Sequence, residues 1–227
     1  MIKSILFDSS HIIKSSLLKS IKKNSGELKG KLLDFGCGNK PYEKLFKVDE
    51  YVGLDILESG HENSNKKADV FYDGKIIPFE NNNFDSIFCS EVFEHVFNLE
   101  EVIKELNRVL KIDGKILLTM PFVWELHEKP YDFARYTVFG IKSILEKNGF
   151  EILKIEQTTT YIETLAQLKA NYLAKLIYTK NGKINGIINL IFLFPLVLSG
   201  KILSFLLPDN KDLYLNNVVL ARKINQC

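Results

Sequence analysis

Continuous apolar runs alternate with helical segments between residues 31 and 156, and this alternation limits the possible folds more than any other feature. Five of the runs are rich in Ile, Leu, Val and Phe, as is typical of strands that are buried on both faces. Strands that alternate with helices at this spacing form a parallel sheet with right-handed crossovers. The sequence therefore predicts an α/β fold. The strand candidates are KLLDF (31–35), YVGLDI (51–56), ADVFYD (68–73), FDSIFCS (84–90) and KILLTMP (115–121).

Two helices and two further strands extend this pattern. The segment NLEEVIKELNRVLKIDG is amphipathic, and we expect Asn98 to cap the helix and Gly114 to end it. A second helix is predicted over 137–149, followed by a strand over 150–156. The last strand candidate, LYLNNVVLARKI (213–224), is expected to be an antiparallel edge strand.

Composition excludes several classes of protein. The chain has 227 residues, of which 46% are hydrophobic and 26% charged, as in a folded globular protein rather than a disordered one. Its net charge is only +2 and no basic stripe is present, so no nucleic-acid partner is expected. The three cysteines are odd in number, which disfavours a disulfide framework and favours the reducing cytoplasm. The apolar patch at the N-terminus is too short for the core of a signal peptide.

The stretch LLDFGCGNKPYEKLF is the most informative loop. Gly36 and Gly38 permit a tight turn and close approach of a ligand to the backbone. A dinucleotide loop has a third glycine, where this chain has Lys40, and Asp34 would repel a diphosphate. A nicotinamide cofactor is therefore disfavoured. Asp34 suits an ammonium group, and Asp55, at the end of the second strand, suits the hydroxyls of a ribose. An amine and a ribose without phosphate describe S-adenosylmethionine.

The ordered series of motifs resembles the class I S-adenosylmethionine-dependent methyltransferases, in particular the type 11 group. The motifs are the acidic GxG loop, the acidic end of the second strand, D…IPF…FD, EVFEH and ELNRVLKIDGKILL, and they extend from about residue 31 to 156. The resemblance implies a Rossmann-like doubly wound sheet of seven strands with the last strand antiparallel. It also implies S-adenosyl-L-methionine as cofactor and S-adenosyl-L-homocysteine as product.

The same resemblance implies which residues hold the cofactor. All of them follow predicted strands, at the edge of the sheet where ligands of such folds bind. They are Asp34, Gly36 and Gly38 for the methionine end, Asp55 for the ribose, Asp73 for the adenine, and Ser90 with Glu91 beside the transferable methyl group. Lys40 departs from the family pattern, since many members have a glycine there.

The segment PFVWELHEKPYDFARYT (121–137) is predicted to form the acceptor pocket, because it places many polar and aromatic residues in a loop after the fifth strand. Its H…PYDFxRYT run resembles a subgroup associated with glycan and surface polysaccharide biosynthesis. Arg135 is expected either to grip an anionic acceptor or to pair with Asp132. The predicted substrate-binding residues are Trp124, Tyr131, Arg135 and Tyr136.

Removal of a proton from an acceptor hydroxyl requires a general base. His127 is the preferred candidate, because an imidazole titrates near neutral pH. His95 is the second candidate, and the alternative is that it only supports the cofactor loop. His11 and His61 are expected at the surface. No Cys or His spacing resembles a metal site, and no metal is expected.

The apolar segment IINLIFLFPLVLSGKILSFLL (187–207) is not required by the fold. It belongs to a predicted helical insertion over 157–212, within a single domain (1–227) that begins with a helical segment (1–27). The insertion is expected to pack on the sheet or form a homodimer, or to contact a membrane surface and a lipid-linked acceptor. A membrane-spanning role is disfavoured, because the unbroken apolar run is well short of ~20 residues.

Three functions remain open at this point. The first is methyl transfer to an oxygen of a sugar or glycan intermediate, lipid-linked acceptors included. The second is methylation of a small molecule, lipid or quinone. The third, from a different class, is a non-catalytic partner subunit that binds S-adenosylmethionine. The expected location is the cytoplasm, or the inner face of the membrane if the apolar segment binds lipid.

Overall fold

The computed structural model describes residues 10–57 and 66–225. His61 and Cys227 lie outside the described residues, as does the start of the predicted N-terminal helical segment. The chain divides into two compact units: residues 21–156 with 217–227, which we call the core unit, and residues 1–20 with 157–216, which we call the helical unit.

Seven strands form one mixed sheet in the order β3-β2-β1-β4-β5-β7-β6, with the last strands antiparallel. The predicted α/β fold is therefore confirmed, but the expectation that the last strand lies at the edge is wrong, because β7 lies between β5 and β6. The pairs β1–β2, β1–β4, β2–β3 and β4–β5 are parallel. The strands are β1 (Lys31–Phe35), β2 (Glu50–Ile56), β3 (Val70–Tyr72), β4 (Phe84–Ser90), β5 (Leu110–Pro121), β6 (Phe150–Gln157) and β7 (Asn216–Lys223).

Six α-helices accompany these strands. They are α1 (His11–Asn24), α2 (Leu99–Val109), α3 (Val138–Lys147), α4 (Tyr161–Ile177), α5 (Gly182–Ile188) and α6 (Phe194–Leu206). A 3₁₀ turn at Phe93–His95 follows β4, and a π-helical turn at Asn189–Leu193 joins α5 to α6. The predicted apolar helix before the last strand is thus present.

Helix α2 differs from its prediction at both ends. It stops at Val109 rather than at Gly114, because Leu110 is extended, fully buried and already paired with Phe84. The helix gives way there to β5, whose pairing with β4 then shifts register. The Asn98 side chain makes no cap bond to the backbone.

The core of the sheet fixes the position of the site. Leu33, Ile87 and Leu118 are fully buried on adjacent strands and belong to one apolar cluster with Ile103 and Leu106 of α2. Full burial of each such side chain stabilises the fold by about 1.5–3 kcal/mol. Since β1, β2, β4 and β5 run parallel, their carboxyl ends meet at one edge, and the strand order reverses between β1 and β4, where ligands of open α/β sheets bind.

In the helical unit, α5, the π turn and α6 form a continuous helix over Gly182–Leu206. Among the described residues it is the one helix long and apolar enough to cross a membrane by length and composition, and only 22% of its apolar window is buried. Asn189 and Pro195 lie within this continuous helix. One face packs on α4, where Gly200 meets Ala166.

Candidate functional site

The loop after β1 adopts the conformation that its glycines predict. Gly36 and Gly38 have positive φ angles of 72° and 50°. A Cβ at Gly36 would lie 2.4 Å from Val92, whereas a Cβ at Gly38 would meet nothing within 4 Å, so the backbone at Gly38 is open to a ligand. Lys40 also has positive φ (55°), a conformation that favours glycine, and its ammonium lies 2.5 Å from Asp69. Lys40 therefore supports the loop through an ion pair.

Asp34 ends up buried at the carboxyl end of β1, only 3% exposed, and its Oδ2 accepts a 2.5 Å hydrogen bond from Tyr51. Burial raises the pKa of Asp34 to about 7, although the Tyr51 hydroxyl and the charge of Lys40 oppose that rise. A cation placed beside this carboxylate would restore its ionised form. The site thus fits the ammonium group of S-adenosylmethionine.

Asp55 lies at the end of β2, beside the glycine loop. Its Oδ2 accepts a 2.8 Å hydrogen bond from the Gly38 amide, and its Oδ1 lies 3.0 Å from the Lys66 ammonium. The carboxylate therefore ties the loop to β2, and ribose hydroxyls would have to share it with Lys66 or displace that lysine. No sequence motif predicted the Lys66 contact, because Lys66 lies in a segment outside the motifs.

The residues predicted beside the methyl group form a short hydrogen-bonded chain. Thr119 of β5 pairs across the sheet with Ser90, and their hydroxyl oxygens are 2.8 Å apart. The Thr119 hydroxyl donates to Glu91 at 2.9 Å, which holds that side chain at the end of β4. Asp73 follows β3, is exposed and accepts a hydrogen bond from the Lys75 amide.

Glu94, His95 and His127 form a cluster just beyond the end of β4. One ligand atom from each lies within 4.8 Å of the others. Glu94 Oε1 is 3.7 Å from His95 Nε2 and 3.8 Å from His127 Nε2, and the two rings meet edge to face. The two predicted base candidates are therefore neighbours, and a carboxylate stands between them.

Both imidazoles are oriented by acceptors on their Nδ1 atoms. His95 Nδ1 is 2.7 Å from the carbonyl oxygen of Tyr131. His127 Nδ1 is 3.2 Å from the carbonyl oxygen of Glu125 and 3.3 Å from Asp132 Oδ2. A carbonyl oxygen can only accept, so the Nδ1 of each ring carries a proton. In the neutral rings the lone pairs are at Nε2, and both face Glu94.

The Glu94 side chain is 1% exposed, and no other residue in 10–57 or 66–225 donates a hydrogen bond to either of its oxygens. Burial raises the pKa of Glu94 well above its usual value, and the nearby charge of Glu91 raises it further. The Arg135 guanidinium opposes this rise. Such a carboxylate is costly without a proton or a cation beside it.

The loop between β5 and α3 is tied to this cluster by its backbone. The amides of Phe133 and Ala134 donate to the carbonyl oxygen of Glu94 at 2.8 and 3.2 Å. Arg135 and Asp132 form a bidentate ion pair, which is one of the two alternatives raised by the sequence. This pair orders the loop and holds Asp132 beside His127.

The predicted acceptor residues follow in the same loop. Trp124 and Tyr136 are half-buried, and Tyr131 is exposed. The cofactor candidates and the cluster thus occupy one edge of the sheet, as their positions after strands predicted. Tyr51, Lys66 and Thr119 were missed, because a strand tyrosine, a loop lysine and a strand threonine carry no motif signal.

Comparison with known proteins agrees with this geometry. The family model for a methyltransferase domain (Methyltransf_11) matches residues 33–118. The chain is 26% identical over 165 residues to the uncharacterized protein MJ1123 of Methanocaldococcus jannaschii, covering 67% of this chain and 78% of that one. It is 27% identical over 155 residues to demethylmenaquinone methyltransferase of Staphylococcus aureus, covering 60% and 64%.

Among solved structures, phosphoethanolamine N-methyltransferase 2 of Haemonchus contortus in complex with S-adenosyl-L-methionine shares the fold. The TM-score is 0.57 at 19% identity, over 92% of this chain and 52% of that one. The family match over 33–118 contains the glycine loop and the Glu94–His95 turn, and the seven-stranded sheet is a Rossmann-like methyltransferase fold.

Proposed function

We propose that this protein transfers a methyl group from S-adenosylmethionine to a hydroxyl oxygen of a sugar or glycan intermediate. The observation that carries the proposal is the convergence of Glu94, His95 and His127 at the same sheet edge as the cofactor candidates. An acceptor hydroxyl must lose its proton to become an effective nucleophile, and this cluster offers lone pairs for that step.

The cofactor would be held by residues of the core unit. Asp34 would bind the ammonium group, Asp55 the ribose, and the open backbone at Gly38 would allow close approach. S-adenosylmethionine supplies the electrophilic methyl carbon, and the protein aligns the acceptor oxygen with it. The Nε2 atoms of His127, the predicted base, and of His95 would face the hydroxyl that is methylated.

The glycan acceptor is supported by the composition of the loop over 121–137. Trp124, Tyr131 and Tyr136 supply aromatic surface, and the neighbouring imidazoles and carboxylate supply hydrogen-bonding groups. Arg135 pairs with Asp132 and so positions this loop. That Arg135 also binds an anionic acceptor stays a prediction. A quinone acceptor is the second candidate, favoured by the relative in Staphylococcus aureus.

We also propose that the helical unit contacts the cytoplasmic face of an anionic membrane. The helix over Gly182–Leu206 exposes large apolar side chains, among them Phe192, Phe205 and Leu206. Between residues 164 and 208 the chain has five lysines and no acidic residue, which complements anionic headgroups. Such contact would bring the site to a lipid-linked acceptor.

The first test is calorimetry of the purified protein with S-adenosylmethionine and S-adenosylhomocysteine. We expect binding in the micromolar range, weakened by Asp55→Ala roughly tenfold or more, because a charged hydrogen-bond acceptor for the ribose is lost. Asp55 also accepts from Gly38, so Asp55→Asn serves as a second variant that preserves the shape of the side chain.

Asp49→Ala is the matched control, since this exposed aspartate precedes the opposite end of β2. Absence of binding in folded protein would overturn the proposal. Protein that binds the cofactor would then be given nucleotide-sugar, lipid-linked glycan and demethylmenaquinone acceptors, with methylated product detected by mass spectrometry. Binding without turnover of any of them would favour the non-catalytic partner subunit.

A further inference from the structure

We propose that Glu94, His95 and His127 bind a divalent transition-metal ion. The inference concerns the site of the proposed function, but it is carried by the geometry of the side chains and not by any acceptor. The sequence analysis did not predict this site, because the ligands come from two segments whose spacing matches no metal motif.

Acceptor atoms of Glu94, His95 and His127 converge, and no other described residue donates a hydrogen bond to Glu94 or to His95 Nε2. The tautomers set by the Tyr131 and Glu125 carbonyls place the lone pairs of both Nε2 atoms toward Glu94. Lone pairs directed at a common point repel one another, and a cation at that point removes the repulsion.

The distances between Glu94 Oε1 and the two imidazole Nε2 atoms can be compared with those in a metal site. Ligand atoms at about 2.0–2.2 Å from an ion lie about 3–3.5 Å from one another. The separations of 3.7 and 3.8 Å from Glu94 Oε1 are longer, and the three ligand atoms lie within 4.8 Å of one another, so the side chains would draw together when an ion binds. The separations are also too long for hydrogen bonds. The arrangement therefore fits a bound ion better than a hydrogen-bonded triad.

The Nδ1 atoms of His95 and His127 make the contacts that are typical of metal-bound histidines. A ligating imidazole almost always donates its other N–H to a carbonyl or a carboxylate. Here His95 has the Tyr131 carbonyl, and His127 has Asp132, which Arg135 fixes in place. These contacts orient the rings before any ion binds.

Two imidazoles and a carboxylate select the class of ion. Calcium and magnesium prefer sets of oxygen ligands, whereas Zn²⁺, Mn²⁺ and Fe²⁺ accept imidazole with carboxylate. Glu128 Oε1, 3.7 Å from His95 Nε2, adds an oxygen on the same side. Three protein ligands leave coordination positions for an acceptor oxygen, whose hydroxyl pKa the ion would lower. With the ion bound, His127 is a ligand and no longer the base itself.

The experiment is titration of the chelator-treated full chain with Zn²⁺ and with Mn²⁺, followed by calorimetry and, for Mn²⁺, by electron paramagnetic resonance. We expect one ion per chain. Glu94→Gln and His127→Gln, measured singly, should each weaken binding roughly tenfold or more, because a ligand is removed. Glu100→Gln, an exposed acid on α2, and His11→Gln in the helical unit are the matched controls and should bind as the wild type does.

The unfolding midpoint and the S-adenosylmethionine affinity are also measured for each variant. Unchanged values show that weaker metal binding does not result from unfolding. Equal metal affinity in wild type and both cluster variants, or no binding at all, would overturn the inference. Turnover by protein that binds no ion at the cluster would overturn the inference while leaving the proposed function intact. One ion bound through the cluster, without turnover of any acceptor, would support the inference while the proposed function fails.

Discussion

At the scale of single residues, the site keeps acidic groups in places where their charge is poorly solvated. Asp34 and Glu94 are each nearly inaccessible, and burial raises the pKa of both. A protein that only needed to fold would gain stability from neutral side chains there. Positively charged ligands would offset this cost, and we propose an ammonium group for Asp34 and a metal ion for Glu94.

Asp34 makes a testable contribution to the dependence of stability on pH. Its pKa is about 7 in the folded protein against 3.8 ordinarily, so the folded state holds the proton more tightly. Stability from this group is fully present below about pH 4 and is lost as the pH rises to 7. Between pH 5 and pH 8 this amounts to about 2–3 kcal/mol in the cofactor-free protein.

Asp34→Asn removes this titration while retaining an oxygen for the Tyr51 hydroxyl. We expect the variant to lose less stability than the wild type between pH 5 and pH 8, in denaturant unfolding without cofactor. Lys40, Glu43 and Asp55 also face this carboxyl, and they remain unchanged in the comparison. Asp49→Asn is the control, and identical pH slopes for Asp34→Asn and wild type would contradict the prediction. The variant should also bind S-adenosylmethionine more weakly, since the ammonium loses its counter-ion.

At the scale of elements, the sequence predicted what depends on local pattern and missed what depends on distant contacts. The apolar run 31–35 is β1, and the helix predicted over 137–149 is α3, because both features are local. The end of α2 was misplaced, since the pairing of Leu110 with Phe84 decides it. The metal cluster was missed for the same reason, because α2 and β5 separate its two segments along the chain.

Helices α4 and α6 pack so closely that residue 200 has no room for a Cβ atom. A Cβ at Gly200 would lie 2.3 Å from the Ala166 Cβ. Gly200→Ala should therefore lower the free energy of unfolding by about 1–3 kcal/mol through overpacking. Adding Ala166→Gly should restore part of that loss. Chemical denaturation followed by circular dichroism measures both variants.

Gly186→Ala is the matched control for this prediction. It lies in α5, and a Cβ there would meet nothing within 4 Å. The control should be neutral or stabilising by about 0.4–1 kcal/mol, because alanine reduces the entropy of the unfolded chain. If Gly200→Ala behaved like Gly186→Ala, the close packing of α4 on α6 would be refuted.

At the scale of the whole molecule, the two units differ in what they expose. The core unit buries its sheet residues and places its polar cluster at one edge. The helical unit instead carries a long helix of which most is uncovered. Exposed apolar surface of this extent on a helix indicates a partner, and the absence of acidic residues between 164 and 208 favours an anionic lipid surface over a second copy of the chain.

We expect the full chain to co-sediment with vesicles of phosphatidylcholine and phosphatidylglycerol, and to bind less to phosphatidylcholine alone. Phe192→Gln with Phe205→Gln should reduce binding roughly tenfold or more, because two exposed aromatic rings are lost from the apolar face. Phe139→Gln is the matched control, since Phe139 is as exposed as these residues but lies on α3 of the core unit. A stable dimer in solution that ignores both vesicle types would show that a second copy covers the helix, and the lipid assignment would then be wrong. Binding lost in the double variant and kept in the control, with cofactor affinity unchanged in both, would instead establish that the helical unit carries the protein to lipid without contributing to cofactor affinity.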